Sequence, residues 1–179
     1  MKETIFILGG CRSGKSRYAL KLADNVEGVR KIFIATCDPS DYEMKESVKF
    51  HQKERPKTWH TLEIPVLLPE NIIEWSLKSN VILVDCLSLW INNLMLQTCD
   101  IDKIEDHVQR LAFSVQQASC PVILVSNEVG SGIVPDNKLA RIFRDALGLA
   151  NQQIAPISDK VIWMVAGIPV VIKETAVRH

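Results

Sequence analysis

Short apolar runs alternate with longer segments of helical period along most of this chain. The first four runs are continuously apolar, which is typical of strands covered by helices on both faces of a sheet. Alternation of strand and helix predicts an α/β fold with a mostly parallel sheet flanked by helices. The pattern predicts strands at Thr4–Leu8, Lys31–Ala35, Val81–Asp85, Val122–Ser126, Val161–Val165 and Pro169–Lys173. It predicts helices near residues 15–25, 42–54, 70–78, 87–97, 102–118 and 136–157.

Two segments depart from this alternation. Only Ala166, Gly167 and Ile168 separate the last two predicted strands, so we expect a C-terminal hairpin that adds an antiparallel pair at one edge of the sheet. The stretch from Asp38 to Pro69 is polar and rich in proline. We interpret it as an excursion, at about residues 38–69, from the core of a single domain of residues 1–179. Functional insertions are common in such places.

Composition limits the classes of partner. The chain has 179 residues, 47% of them hydrophobic, which suffices for one core. Its 21 basic and 21 acidic residues balance, so we expect no nucleic-acid partner and no anionic membrane. The 5 cysteines form no C-x-x-C pair, which argues against a disulfide framework or a zinc site and favours a reducing compartment. Without a signal peptide or an apolar stretch of roughly 20 residues, we expect a cytoplasmic protein with no membrane span.

A phosphate-binding loop follows the first predicted strand. The string G-G-C-R-S-G-K-S at residues 9–16 fits G-x-x-x-x-G-K-[ST], with a strand before it and a helix after it. Such a loop points successive backbone N–H groups at a triphosphate, and the helix adds the positive end of its dipole. We expect Lys15 to be the catalytic cation that reaches the β- and γ-phosphates, and the Ser16 hydroxyl to bind Mg²⁺. The alternative is a glycine-rich turn that binds nothing. The nucleotide-binding residues predicted here are Gly9, Gly10, Cys11, Arg12, Ser13, Gly14, Lys15 and Ser16.

Acidic and amide side chains follow two other predicted strands. Asp85 ends the apolar run V-I-L-V-D, where a P-loop enzyme has its Mg²⁺-binding carboxylate. An acid at this position can also merely cap a turn. Asn127 and Glu128 follow Val122–Ser126 and reach the same edge of a parallel sheet, where ligands bind. For Glu128, a site role and a role as the cap of a helix or turn are both open.

Longer strings narrow the class of enzyme. They are G-G-C-R-S-G-K-S at 9–16, I-A-T at 34–36, H-x-x-x-R-P-x-x-W-x-T-x-E from His51 to Glu63, D-C-L-S-L-W-I-N-N at 85–93, S-N-E-V-G-S-G-I-V-P at 126–135, R-I-F-R-D-A-L-G at 141–148 and N-Q at 151–152. Over nearly the whole chain these strings resemble the bifunctional adenosylcobinamide kinase / adenosylcobinamide-phosphate guanylyltransferase family of cobalamin biosynthesis. One departure is Cys11, where that family usually has Ala.

The resemblance implies two reactions and a RecA-like P-loop NTPase fold. ATP or GTP phosphorylates the hydroxyl of the aminopropanol arm of adenosylcobinamide. GTP then transfers GMP to that phosphate, which gives adenosylcobinamide-GDP and releases pyrophosphate. The resemblance also implies a homotrimer with sites at the subunit boundaries, with adenosylcobinamide and its phosphate as the small-molecule substrates.

The resemblance further implies that His51 accepts GMP as a covalent intermediate. A neutral imidazole is a competent nucleophile near neutral pH, and a covalent intermediate divides one difficult displacement into two easier ones. From the residues alone, an exposed helical histidine without a role is the favoured alternative. Arg55 has a planar guanidinium that suits a phosphate. Beyond the loop, the nucleotide contacts implied by the resemblance are Ile34, Ala35, Thr36, Gln52, Lys53, Glu54, Arg55, Glu63 and Asp85.

Two other functions fit a P-loop, because this fold hosts many activities. A monofunctional small-molecule kinase would use Lys15 and Asp85 but would have no use for His51. A nucleotide-dependent switch or assembly ATPase would hydrolyse nucleotide without phosphorylating a metabolite. Covalent labelling by α-labelled GTP separates the first alternative from the bifunctional enzyme, and phosphate transfer to cobinamide separates the second.

Overall fold

A computed structural model describes residues 2–37 and 59–175 of the chain. The strands are β1 (Thr4–Gly9), β2 (Lys31–Ala35), β3 (Trp59–Glu63), β4 (Val81–Asp85), β5 (Val122–Asn127), β6 (Lys160–Val165) and β7 (Ile168–Glu174). They form one sheet in the order β3-β2-β4-β5-β1-β6-β7. All neighbours pair in parallel except β6 and β7, which form the predicted antiparallel hairpin at the edge. β5 therefore lies between β1 and β4, the two strands that precede the phosphate loop and Cys86.

The described helices are α1 (Lys15–Asp24), α2 (Leu68–Ser76), α3 (Leu87–Gln97), α4 (Ile101–Gln117) and α5 (Lys138–Ile157). Local signals mark where they begin. Asp100 caps α4 by accepting the Asp102 N–H, and Asn137 caps α5 by accepting the N–H groups of Leu139 and Ala140. Among residues 2–37 and 59–175, no helix is both long and apolar enough to cross a membrane.

The sheet separates two apolar layers. Alternate residues of β1 point to opposite faces, with Phe6 and Leu8 in one layer and Ile5 and Ile7 in the other. The larger layer packs against α2, α3, α4 and α5. On the other face, Ala19 and Ala23 of α1 pack against the second layer. Both faces of the central strands are thus covered, which explains their continuously apolar sequences.

One strand is absent from the sequence prediction. The polar stretch 38–69 carries no predicted strand, yet its residues Trp59–Glu63 form β3, which pairs in parallel with β2 at the edge of the sheet. Its end also holds the start of α2. In β3 only Trp59 is buried, while His60, Thr61 and Glu63 are exposed, so the strand has no apolar run to reveal it. The predicted helix 42–54 lies outside the described residues.

The opposite edge of the sheet exposes apolar side chains. The two-residue turn of Ala166 and Gly167 has positive φ at both positions, 51° and 86°, as a tight hairpin requires. It is one residue shorter than predicted, because Ile168 belongs to β7. Several large apolar side chains of the hairpin stay in solvent: Val165, Ile168, Val170, Val171 and Ile172.

Candidate functional site

The phosphate loop joins β1 to α1 at the carboxyl edge of the sheet. Gly14 is the N-cap of α1 with a φ of 91°, a left-handed conformation that glycine adopts without strain. No side chain caps this helix, so its first N–H groups are left for an anion. Arg12 also has a positive φ, 53°, and its side chain is exposed. Alternation of left- and right-handed residues turns backbone N–H groups into a concave anion site.

Close packing holds the loop against its neighbours. A Cβ atom on Gly9 would lie 2.6 Å from the Met164 carbonyl oxygen and 2.8 Å from Ser13 Oγ, so only glycine fits. The Ser13 carbonyl accepts a hydrogen bond from the Gly167 N–H at 3.0 Å. The hairpin turn between β6 and β7 therefore supports the loop from behind, a contact that the sequence strings do not reveal.

Lys15 is buried, with 8% of its surface exposed. Its Nζ donates to the Gly10 carbonyl at 2.6 Å and to Ser13 Oγ at 3.4 Å. Burial lowers the pKa of the Lys15 ammonium, while the nearby Cys86, Asp85 and Cys11 act in the opposite direction. A bound triphosphate would supply the strong negative charge that a desolvated ammonium needs.

Asp85 lies at the carboxyl end of β4 and is half-buried. Its charge acts on Lys15, so the carboxylate and the ammonium lie near each other. Burial raises the pKa of the Cys86 thiol to about 11, and the Asp85 carboxylate acts in the same direction. Ser16 is half-buried in the first turn of α1. One carboxylate and one hydroxyl beside a phosphate site are the protein ligands that Mg²⁺ uses with a nucleotide, so these residues fit that ion.

The carboxyl end of β2 is a buried support next to Asp85. Ile34, Ala35 and Thr36 are all buried. Thr36 Oγ1 donates to the Cys86 carbonyl at 2.6 Å and accepts from the Cys86 N–H at 2.9 Å. In this structure the Thr36 side chain thus fixes the backbone after Asp85. Contact of these three residues with a nucleotide stays a prediction.

Glu63 is the last residue of β3, and its side chain is exposed. It lies at the same edge of the sheet as Asp85, because both residues are in register with Ala35 of β2. The other histidine of the string, His60, is the second residue of β3, and its ring lies 5.3 Å from that of Trp75. It is therefore displaced towards the amino end of the sheet. His51, Gln52, Lys53, Glu54 and Arg55 lie outside the described residues.

Two tryptophans of the family strings are packing residues. Trp59 is buried and its Nε1 donates to Asp24 Oδ1 at 3.0 Å. Trp90 is fully buried and its Nε1 donates to the Val66 carbonyl at 2.8 Å. Each indole has one apolar environment and one satisfied N–H, as expected of a structural role.

Glu128 begins a loop beside the phosphate loop. Its N–H donates to the Gly9 carbonyl at 3.1 Å. Its carboxylate accepts hydrogen bonds from the N–H groups of Gly130 and Ser131. Of the two alternatives open from the sequence, this geometry favours the cap of a turn.

Buried amides and a hydroxyl also position the site, although no role was predicted for them from the sequence. Asn93 Nδ2 donates to the carbonyls of Thr36 and Pro65, at 2.7 and 3.0 Å. Ser88 Oγ accepts the Asn127 N–H at 3.1 Å, and Asn151 Nδ2 donates to the Asn127 carbonyl at 3.1 Å. Their signal in the sequence is a polar residue on the apolar face of a helix, which is costly unless it is hydrogen-bonded.

A family model and three similar proteins relate this chain to one and the same family. The family model described as "Cobinamide kinase / cobinamide phosphate guanyltransferase" matches residues 5–172. The bifunctional adenosylcobalamin biosynthesis protein CobP of Pseudomonas aeruginosa is 39% identical over 168 residues, 93% of this chain and 95% of that protein. The bifunctional adenosylcobalamin biosynthesis protein CobU of Salmonella typhimurium is 36% identical over 94% of this chain and 99% of its own length, and that of Escherichia coli is 37% identical over the same shares.

Solved structures resemble this chain in fold. A KaiC-like protein of Pyrococcus horikoshii is 14% identical with a TM-score of 0.52, covering 99% of this chain and 81% of that one. The flagellar accessory protein FlaH of Methanocaldococcus jannaschii is 14% identical with a TM-score of 0.50, covering 97% and 79%. At such low identity the likeness shows the fold alone, and it agrees with the predicted RecA-like arrangement.

Proposed function

Because this chain belongs to the cobinamide kinase / cobinamide phosphate guanyltransferase family, we propose that it phosphorylates adenosylcobinamide from ATP or GTP and then transfers GMP from GTP to the resulting phosphate. The observation that carries the proposal is a phosphate loop, with Lys15 buried beneath it and Asp85 beside it, within a chain that matches this family almost throughout. Since the family is named for both activities, the monofunctional kinase is the weaker alternative.

In the kinase step, the acceptor hydroxyl attacks the γ-phosphorus. A phosphorus–oxygen bond forms, the hydroxyl loses its proton, and the nucleoside diphosphate leaves. The loop N–H groups and Lys15 stabilise the charge that spreads over the transferred group. Ser16 and Asp85 would hold Mg²⁺, which when bound supplies further positive charge at the phosphate oxygens.

In the second step, the imidazole of His51 attacks the α-phosphorus of GTP and pyrophosphate leaves. An oxygen of adenosylcobinamide phosphate then attacks the phosphorus of the GMP–histidine, which yields adenosylcobinamide-GDP and frees the imidazole. Two observations support His51. The string that it begins ends at Glu63, which lies at the site edge, and the described residues before His51 end with Cys37, just after the carboxyl end of β2. The proposed contacts of Gln52, Lys53, Glu54, Arg55, Glu63 and residues 34–36 with the guanine nucleotide follow from the same string.

We propose a homotrimer with sites at the subunit boundaries as the working form. The exposed apolar side chains of the β6–β7 hairpin support a subunit contact there, because a patch of this kind on a soluble chain marks an interaction surface. A trimer forms when each subunit contacts the next through two different surfaces and three such contacts close a ring. A cytoplasmic location, and the absence of a nucleic-acid partner, stay predictions from charge and cysteine usage.

The deciding experiment is incubation with α-labelled GTP, followed by mapping of the labelled residue and a parallel assay of phosphate transfer to adenosylcobinamide from γ-labelled nucleotide. The proposal expects a covalent label on His51 together with phosphorylated acceptor. Transfer without a label would favour the monofunctional kinase. Nucleotide hydrolysis without transfer would favour a switch ATPase.

A further inference from the structure

The loop between β5 and α5 exposes apolar side chains beside the candidate site. Ile133 is 96% exposed and Val134 is 59% exposed, and Val129 is partly exposed as well. The three side chains lie within six consecutive residues, and exposed apolar surface concentrated in this way often marks a binding surface. Nothing in the phosphate chemistry of a nucleotide explains them.

Hydrogen bonds fix this loop although it has no regular secondary structure. Arg144 Nη2 donates to the Gly130 carbonyl at 2.8 Å. Arg141 Nη1 donates to the carbonyls of Pro135 and Asp136, at 2.9 and 2.6 Å. With the turn that Glu128 caps, the charged groups satisfy the backbone while the apolar side chains face outward. A surface ordered before binding loses less conformational entropy when a ligand arrives.

The loop begins at the place where an acceptor must approach. Its first residue, Glu128, bonds through its N–H to the carbonyl of Gly9 in the phosphate loop. Since β5 lies between β1 and β4, the loop leaves the sheet between the phosphate loop and Asp85. The acceptor hydroxyl must line up with the γ-phosphorus at this same carboxyl edge.

We propose that Val129, Ile133 and Val134 form the docking surface for the corrin ring of adenosylcobinamide, an inference that rests on the proposed function. The corrin ring is a broad macrocycle whose ring carbons and methyl groups offer apolar surface between its peripheral amides, and apolar side chains match that surface. With the ring on this surface, the aminopropanol arm extends towards the phosphate loop. Guanine is the less suitable occupant, because its recognition needs hydrogen-bonding groups that these side chains lack.

The test is the double variant Ile133→Ser/Val134→Ser. Both side chains are exposed, so the fold does not depend on them. Binding of adenosylcobinamide is measured by equilibrium dialysis with detection of its visible absorbance, and the KM values for acceptor and nucleotide are measured separately. The acceptor Kd and KM are expected to rise about tenfold or more, as befits two apolar contacts. The nucleotide KM and the covalent labelling by GTP should change less than about twofold on the same reasoning.

Two further variants sharpen the test. Val29 is 92% exposed and precedes β2 at the amino edge of the sheet, so Val29→Ser should leave both KM values unchanged. The variant Ile133→Val/Val134→Ile keeps apolar side chains and should bind the acceptor nearly as the wild type does.

Three outcomes for the serine variant would overturn the assignment. They are an unchanged acceptor affinity, an equal loss of nucleotide affinity, and a smaller oligomer by light scattering, which would make the loop a subunit contact. Wild-type protein that neither binds nor phosphorylates adenosylcobinamide would instead refute the proposed function, and the docking surface with it, before any variant is compared.

Discussion

Residues of the phosphate loop differ in burial and in hydrogen bonding, and the sequence motif does not show these differences. Lys15 is buried and already bonded to carbonyl and hydroxyl oxygens of its own loop, whereas Cys11 and Arg12 are exposed. Cys86, next to Asp85, has a raised pKa and stays a neutral thiol at neutral pH. Burial and charge therefore assign different roles to neighbouring polar side chains.

Lys15→Ala is expected to lower kcat for phosphate transfer at least a hundredfold, because the ammonium stabilises charge in the transition state. The fold should survive, since burial disfavours the charged form of this lysine. Steady-state kinetics and thermal unfolding measure the two effects. Lys21→Ala, on the exposed surface of the same helix, is the control. A folded Lys15→Ala protein with near-normal turnover would contradict the assignment.

His51→Ala is expected to abolish labelling by α-labelled GTP and to retain much of the kinase activity, because only GMP transfer needs a protein nucleophile. Both assays are run on one purified preparation. His60→Ala is the matched control, since the His60 ring lies against Trp75. Persistent labelling of His51→Ala would place the nucleophile elsewhere. Loss of both activities in a folded protein would give His51 a general role in nucleotide binding.

Cys11 is expected to react with iodoacetamide, with inactivation, and to be protected by magnesium nucleotide. The thiol is exposed in the phosphate loop, and thiol reactivity requires access. Cys86 should stay unmodified at neutral pH because its pKa is raised to about 11. Peptide mapping with and without nucleotide measures both. Inert Cys11 in nucleotide-free protein would refute the expectation.

Elements differ in how well sequence reveals them. The helix predicted at 87–97 is observed at Leu87–Gln97, because a clear apolar face follows the end of a buried strand. β3 was not predicted because only one of its side chains, that of Trp59, is buried. An edge strand whose side chains mostly face solvent needs no alternation of apolar and polar residues. Its place in the sheet depends on pairing with β2, a non-local contact that local pattern does not encode.

Asn93→Ala is expected to lower the free energy of unfolding by about 2 kcal/mol, because the buried carbonyl of Thr36 and the part-buried carbonyl of Pro65 lose their donor. Unfolding in urea measures this change in the free energy of unfolding. The neighbouring Asn92 is exposed, so Asn92→Ala should change stability by less than about 0.5 kcal/mol. Equal effects of the two substitutions would show that Asn93 does not tie α3 to the end of β2.

For the whole molecule, sequence predicted the class but not the arrangement. The mostly parallel sheet, the C-terminal hairpin and the phosphate loop are all observed. The strand order and the support of Ser13 by Gly167 arise from contacts between distant segments. For the candidate site, Lys15, Ser16 and Asp85 are found at one edge, while His51 to Arg55 fall outside the described residues. Their roles stay predictions.

Ile168→Glu/Val170→Glu is expected to convert the proposed trimer into monomers, since both exposed side chains lie on one face of β7 before its register shift and a buried charge opposes assembly. Light scattering after gel filtration measures the mass. Leu77→Glu, at the equally exposed end of α2, should leave the mass unchanged. A monomeric wild type would refute the trimer, and an unaltered mass in the double variant would move the contact away from the hairpin.

The position of β5 between β1 and β4 has a consequence for the resistance of the protein to degradation. Two strand spacings, about 10 Å, separate the phosphate loop from the Asp85 strand. A nucleotide that touches both ends adds a link between parts of the chain that already meet through β5 and through the packing of α1 on β4. Ligand at about a hundred times its Kd raises the free energy of unfolding by about 2.7 kcal/mol. Resistance to proteases should therefore follow the nucleotide supply, so that starved cells clear the chain faster than well-fed ones.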